Sequence, residues 1–162
     1  MEREVSALLL YLHTMKPTLL LALTFLLTLS VQAQKTGKAL ADSLGASPHG
    51  MKMYTLVLLK TGSVVPKTKA EQDSLFSGHM ANINRLADEG KLVVAGPLGK
   101  NAQAYRGIFI LNTKDEAEAR RWVSQDAAVA AGVFAVEYYQ WFGSAALPMY
   151  LPYHKQIDGA KE

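Results

Sequence analysis

The chain has no cysteine, few charges and no apolar run long enough to cross a bilayer, and each shortage excludes something. Without cysteine there are no disulfides, thiolate nucleophiles, Cys-ligated zinc or iron–sulfur centres. Charged residues are 19% of the sequence, with 17 Lys+Arg against 14 Asp+Glu. The resulting +3 is not clustered, because the longest basic run is Arg120-Arg121. A nucleic-acid binder shows a basic footprint on one face or helix, so no nucleic-acid partner is expected. Gly-x-Ser-x-Gly, paired-histidine and acidic metal-loop motifs are all absent. With few histidines and no cysteine, no metal centre is expected.

What is there divides into a greasy leader and an ordinary globular remainder. Met15-Lys16-Pro17-Thr18 precedes an apolar run from Leu19 to Val31, and Val31-Gln32-Ala33 is followed by Gln34. A single positive charge, a short greasy core and small residues before the junction describe a secretory signal peptide over 1–33, with its start at Met15. The competing reading is a retained membrane anchor. The run would reach about 20 Å at about 1.5 Å per residue, short of the ~30 Å hydrocarbon core. His13, Lys16 and Pro17 separate it from the apolar residues upstream. The expectation is export, to the periplasm or outside the cell, with only transient membrane contact. Residues 34–50, rich in Gly, Ser and Ala, read as a flexible linker.

From residue 51 the periodicity changes element by element. Met53–Leu59 reads as a strand, and Ala70–Glu89 as a helix closed by Gly90. Leu92–Ala95 and Gly107–Leu111 read as two more strands. Thr113 to Glu116 has the form of a capping box and opens a helix to about Gln125. Ala127–Ala131 makes a short helical turn, and Val133–Phe142 a last strand. The order is βαββαβ, a ferredoxin-like α+β fold with two helices on one face of a four-stranded antiparallel sheet. The strands are apolar on both faces, although two helices cover only one. The second face predicts a homodimer. The extension 143–162, with Pro148, Tyr150, Pro152 and Tyr153, reads as an extended segment lying on the domain, with His154 exposed.

Each core-facing helical stripe carries one ionisable residue. His79 lies among Leu75, Phe76, Ile83 and Leu86, and Asp126 completes the series Ala119, Trp122, Val123. A buried carboxylate calls for a partner, and a carboxylate fixes the tautomer of a histidine it holds. That is the arrangement of a general acid or base. Two plainer readings stand beside it: a hydrogen-bonded core histidine, and an aspartate that caps the next helix. Gly96-Pro97 is either a strand-ending turn or a bend around a ligand.

These residues resemble the YciI-like (YCII-related) family. The resemblance rests on the helix histidine, then Gly90, Leu92 and Ala95-Gly96-Pro97-Leu98, then Asp126 and Ala131-Gly132-Val133-Phe134. It spans roughly 51–142. It implies a dimeric α+β barrel and an active site around His79 and Asp126, with Gly96 and Pro97 near the pocket. It also implies isomerase- or lyase-type proton chemistry on a small organic acid or phenolic compound, without a cofactor. The sequence departs from the family where the usual Asp-Pro is Asp126-Ala127, in its leader and in its C-terminal extension. A non-catalytic small-ligand-binding or structural dimer is the alternative, and a monooxygenase on the same fold a third.

Overall fold

A computed structural model describes residues 37–158. The leader expected over 1–33 lies outside the described residues. Two compact units divide at Leu44 and Gly45. In the first, residues 37–43 of the expected flexible linker are helical, with a Lys38–Asp42 pair at 2.7 Å. Ala39, Leu40 and Ala41 are good helix formers, and the pair one turn apart supports them.

The second unit contains β1 (Met51–Thr61), α1 (Lys69–Asp88), β2 (Leu92–Pro97), β3 (Tyr105–Leu111), α2 (Glu116–Val123), α3 (Ala127–Ala130) and β4 (Phe134–Ser144). A 3-10 turn over Leu147–Tyr150 and α4 (Leu151–Asp158) follow. The strands form one sheet in the order β2-β3-β1-β4, and every neighbouring pair is antiparallel. This is the expected ferredoxin-like α+β arrangement.

The register decides which residues meet the helices. Val57 stands opposite Phe109 on β3 and Tyr138 on β4, and Leu59 opposite Gly107 and Val136. This face carries Val57, Leu59, Phe109 and Leu111, which pack with Leu86 of α1 and with Ala119 and Val123 of α2. Each such large side chain, fully buried, contributes roughly 1.5–3 kcal/mol. The alternate residues Leu56, Leu58, Ile108 and Ile110 point to the opposite face, where they are half-buried, and Tyr139 beside them is exposed. One polar cluster interrupts that face. Glu137 binds Lys60 Nζ at 2.9 Å and accepts from the hydroxyls of Tyr139 and Tyr105 at 3.0 and 3.3 Å. The Lys60 hydrogen bond, with that of Tyr139, holds the Glu137 carboxyl below its ordinary range.

The helix ends follow local chemistry. Thr68 caps α1 by accepting from Glu71 N. At the other end Gly90 adopts φ +67, and Lys91 N donates to Leu86 O at 2.9 Å. That closing bond needs a left-handed residue, which glycine supplies at no steric cost.

Two expectations are corrected. Asp115, not Thr113, caps α2, accepting from Ala117 N at 2.9 Å and Glu118 N at 3.4 Å. A carboxylate oxygen can serve both donors, while the Thr113 hydroxyl accepts from Asp115 N and donates to Glu118 Oε2. The extension is not extended either. It completes β4 to Ser144 and then turns helical, because Pro148 and Pro152 occupy first-turn positions where no backbone N–H is required. Tyr150 donates to the Val93 carbonyl and Lys155 pairs with Asp88 at 2.9 Å, so the segment does lie on the domain. His154 is exposed.

Candidate active site

His79 sits nearly three turns into α1, on the side that meets α3, and is 7% exposed. Asp126 precedes α3 and is wholly buried. His79 Nδ1 lies 2.6 Å from Asp126 Oδ2. The other oxygen, Oδ1, accepts from Ala128 N at 3.0 Å and Val129 N at 3.2 Å. The carboxylate therefore caps a helix with one oxygen and holds a histidine with the other. With Asp126 acting as acceptor throughout, Nδ1 carries the proton and Nε2 faces the other way.

Three phenylalanines frame the imidazole. Phe109 stacks on it at a centroid distance of 5.9 Å, Phe134 meets it edge-on at 5.3 Å, and Phe76 lies tilted at 6.1 Å. Nε2 has no hydrogen-bond partner among the described residues. His79 as a whole is 7% exposed. Phe76, 59% exposed, and Met80 one turn on lie on the open side of α1. The arrangement offers one nitrogen able to take or give a proton, oriented from behind and surrounded by apolar rings.

The register separates the remaining expected residues. Gly96 and Pro97 belong to β2, opposite Ile108 and Gly107. Pro97 shares the helix-covered face with Phe109, whereas Gly96 falls in the row of the opposite face. Neither touches His79 through a hydrogen bond or ring contact. Their neighbour Gly107 is required for close approach, since a Cβ there would lie 2.9 Å from the Gly96 carbonyl oxygen.

Asn82, one turn beyond His79 on the same stripe, was not among the residues the sequence singled out. It is buried, and its Oδ1 accepts from Arg85 at 2.8 Å. Arg85 also donates to Gln125 at 2.7 Å, tying α1 to the residue before Asp126. The spacing of 79, 82, 83 and 86 was the available signal. Among the described residues no three His, Cys, Asp or Glu side chains cluster as a metal site.

A model of the YCII-related domain matches residues 53–142, more than half of the chain. The chain belongs to the YCII-related family. The YCII-related domain spans β1 to β4 and holds both His79 and Asp126, and α4 lies outside it. No curated protein matches the chain. Among solved structures, it is similar to 5-chloro-2-hydroxyhydroquinone dehydrochlorinase from Burkholderia phenoliruptrix, determined with 2,5-dihydroxybenzoquinone. The two are 20% identical, with 54% of this chain and 92% of that one covered at a TM-score of 0.38.

Proposed function

We propose that this YCII-related protein is an acid–base enzyme of the isomerase or lyase type that acts on a small organic acid or phenolic compound without a cofactor. The observation that carries this reading is a histidine anchored at Nδ1 by a buried carboxylate, framed by aromatic rings and with no partner for Nε2 among the described residues. In the reaction, Nε2 takes a proton from an acidic C–H and leaves the electron pair on the substrate. The proton then returns to a different carbon, which is isomerisation, or the pair expels a leaving group, which is elimination. Asp126 orients the ring and stabilises the imidazolium that forms.

The test begins with a panel of small organic acids and phenols screened by melting-temperature shift, and turnover is then measured on those that bind. His79→Ala is expected to lower turnover by about 10²–10⁴-fold, the usual worth of a general acid or base, while circular dichroism stays unchanged. Normal turnover by that variant would sink the proposal. The alternative, a non-catalytic binding or structural module, is favoured by the capping work of Asp126 Oδ1. It predicts ligands that bind and are never transformed.

The same reading includes a homodimer. Leu56, Leu58, Ile108 and Ile110 form a half-buried apolar row on the face away from the core packed by α1 and α2, which a second copy would bury. The domain with its extension is expected to sediment as a dimer at micromolar concentration, and a monomer there would contradict it. Export belongs to the proposal too, supported by the apolar run before Val31-Gln32-Ala33. Among the described residues no helix is long and apolar enough to cross a membrane.

A further inference from the structure

We infer that Gly78 is a positioning residue, whose missing side chain lets α1 and α3 approach closely enough for His79 to reach Asp126. The functional weight of this rests on the proton chemistry proposed above, but the geometry does not. A Cβ placed at Gly78 would stand 2.5 Å from the Ala127 Cβ. Carbon atoms in contact settle at about 3.5–4.0 Å. The Ala127 methyl is bonded directly to the backbone and has no torsion by which to swing aside. A methyl group at 78 therefore requires the two helices to part by about 1 Å, the difference between those distances.

The separation falls where the hydrogen bond is made. Gly78 and His79 are adjacent on α1, and Asp126 and Ala127 are adjacent at the start of α3. Asp126 is not free to reach across, because its Oδ1 is held by the N–H groups of Ala128 and Val129 in the same short helix. The carboxylate moves with Ala127, and the imidazole moves with residue 78. A contact of 2.6 Å lengthened by that amount leaves the hydrogen-bonding range, which ends near ~3.2 Å. Glycine inside a helix is destabilising relative to alanine, because it loses more backbone freedom on folding. Residue 78 lies in the interior of a 20-residue helix, so the chain carries that cost where the space is needed.

The test is a steric exchange read at the histidine. In the wild-type protein, the Nδ1 proton of His79 is expected to give a protected NMR resonance, whose absence would overturn the inference; it is assigned by its loss in His79→Ala. Gly78→Ala is expected to speed its exchange about tenfold or abolish the resonance. Adding Ala127→Gly removes the opposing methyl and is expected to restore the resonance and the wild-type exchange rate. Gly78→Ala with unchanged exchange would overturn the inference, and so would a double variant that folds without the resonance. If Gly78→Ala alone does not fold, the double variant decides, because only relief of this contact predicts that it folds with the proton protected. Turnover that survives His79→Ala would remove the proposed reaction and leave the spacing result untouched.

Discussion

Asp126→Ala is expected to cost about 2–4 kcal/mol of stability, a lost helix cap together with a buried Nδ1–H left without its acceptor. An ordinary helix cap is worth about 1 kcal/mol, and the difference measures what the second oxygen does. The alanine leaves His79 Nδ1 and the N–H groups of Ala128 and Val129 without acceptors at a wholly buried position. For a domain of this size the loss corresponds to a fall in Tm on the order of 15 °C. Urea denaturation measures it directly. A midpoint within the range of a surface cap mutation would show that the His79 contact contributes nothing.

Asp126→Asn separates the two duties. Its carbonyl oxygen can still cap α3, so most of the stability remains. Its amide then faces Nδ1 as a donor, which forces the imidazole proton onto Nε2. The histidine stays in place with the wrong nitrogen protonated. Turnover is expected to fall on the order of 10²-fold or more, and ¹⁵N chemical shifts of the ring report the exchanged tautomer.

Periodicity made the pair visible. Leu86 is buried and Leu75 and Ile83 half-buried on the stripe of α1 that His79 interrupts, whereas Phe76, read into the same stripe, is exposed. Asp126 was doubly marked, as the last member of one stripe and as the residue before a helical turn. The element order was readable for the same reason, since each strand and helix keeps its own period between glycine and proline boundaries. What surrounds the imidazole was not readable. Phe109 and Phe134 lie on different strands, and only the pairing register through β1 brings both to His79. Gly78 is equally silent, because its role depends on the distance between two helices. Asp115 and the two prolines of the extension show a different limit. Several residues could have served each local role, and competition among nearby donors and acceptors decided between them.

Gly62→Ala is expected to be the most disruptive glycine substitution in the domain. A Cβ at Gly62 would lie 2.1 Å from the Gly132 carbonyl oxygen and 2.9 Å from the carbonyl carbons of Gly132 and Val133. These are backbone atoms, and Gly132 itself sits at φ +75, where the chain has little freedom to rearrange. The same crossing holds Gly62 N to Val133 O at 2.8 Å and Val64 N to Gly132 O at 3.1 Å. Both bonds must lengthen if the methyl is accommodated. The displaced turn connects α3 to β4, so movement there reaches the Asp126 cap on one side and Phe134 on the other. Overpacking of about 1–3 kcal/mol and two backbone hydrogen bonds of about 1 kcal/mol each place the loss near 3–5 kcal/mol. Gly99→Ala is the control, because a Cβ there would meet nothing within 4 Å, and it should change stability by less than about 0.5 kcal/mol. Equal urea midpoints for the two variants would mean that the end of β1 can part from the α3–β4 turn without cost. In that case the crossing could not be what keeps Phe134 against His79.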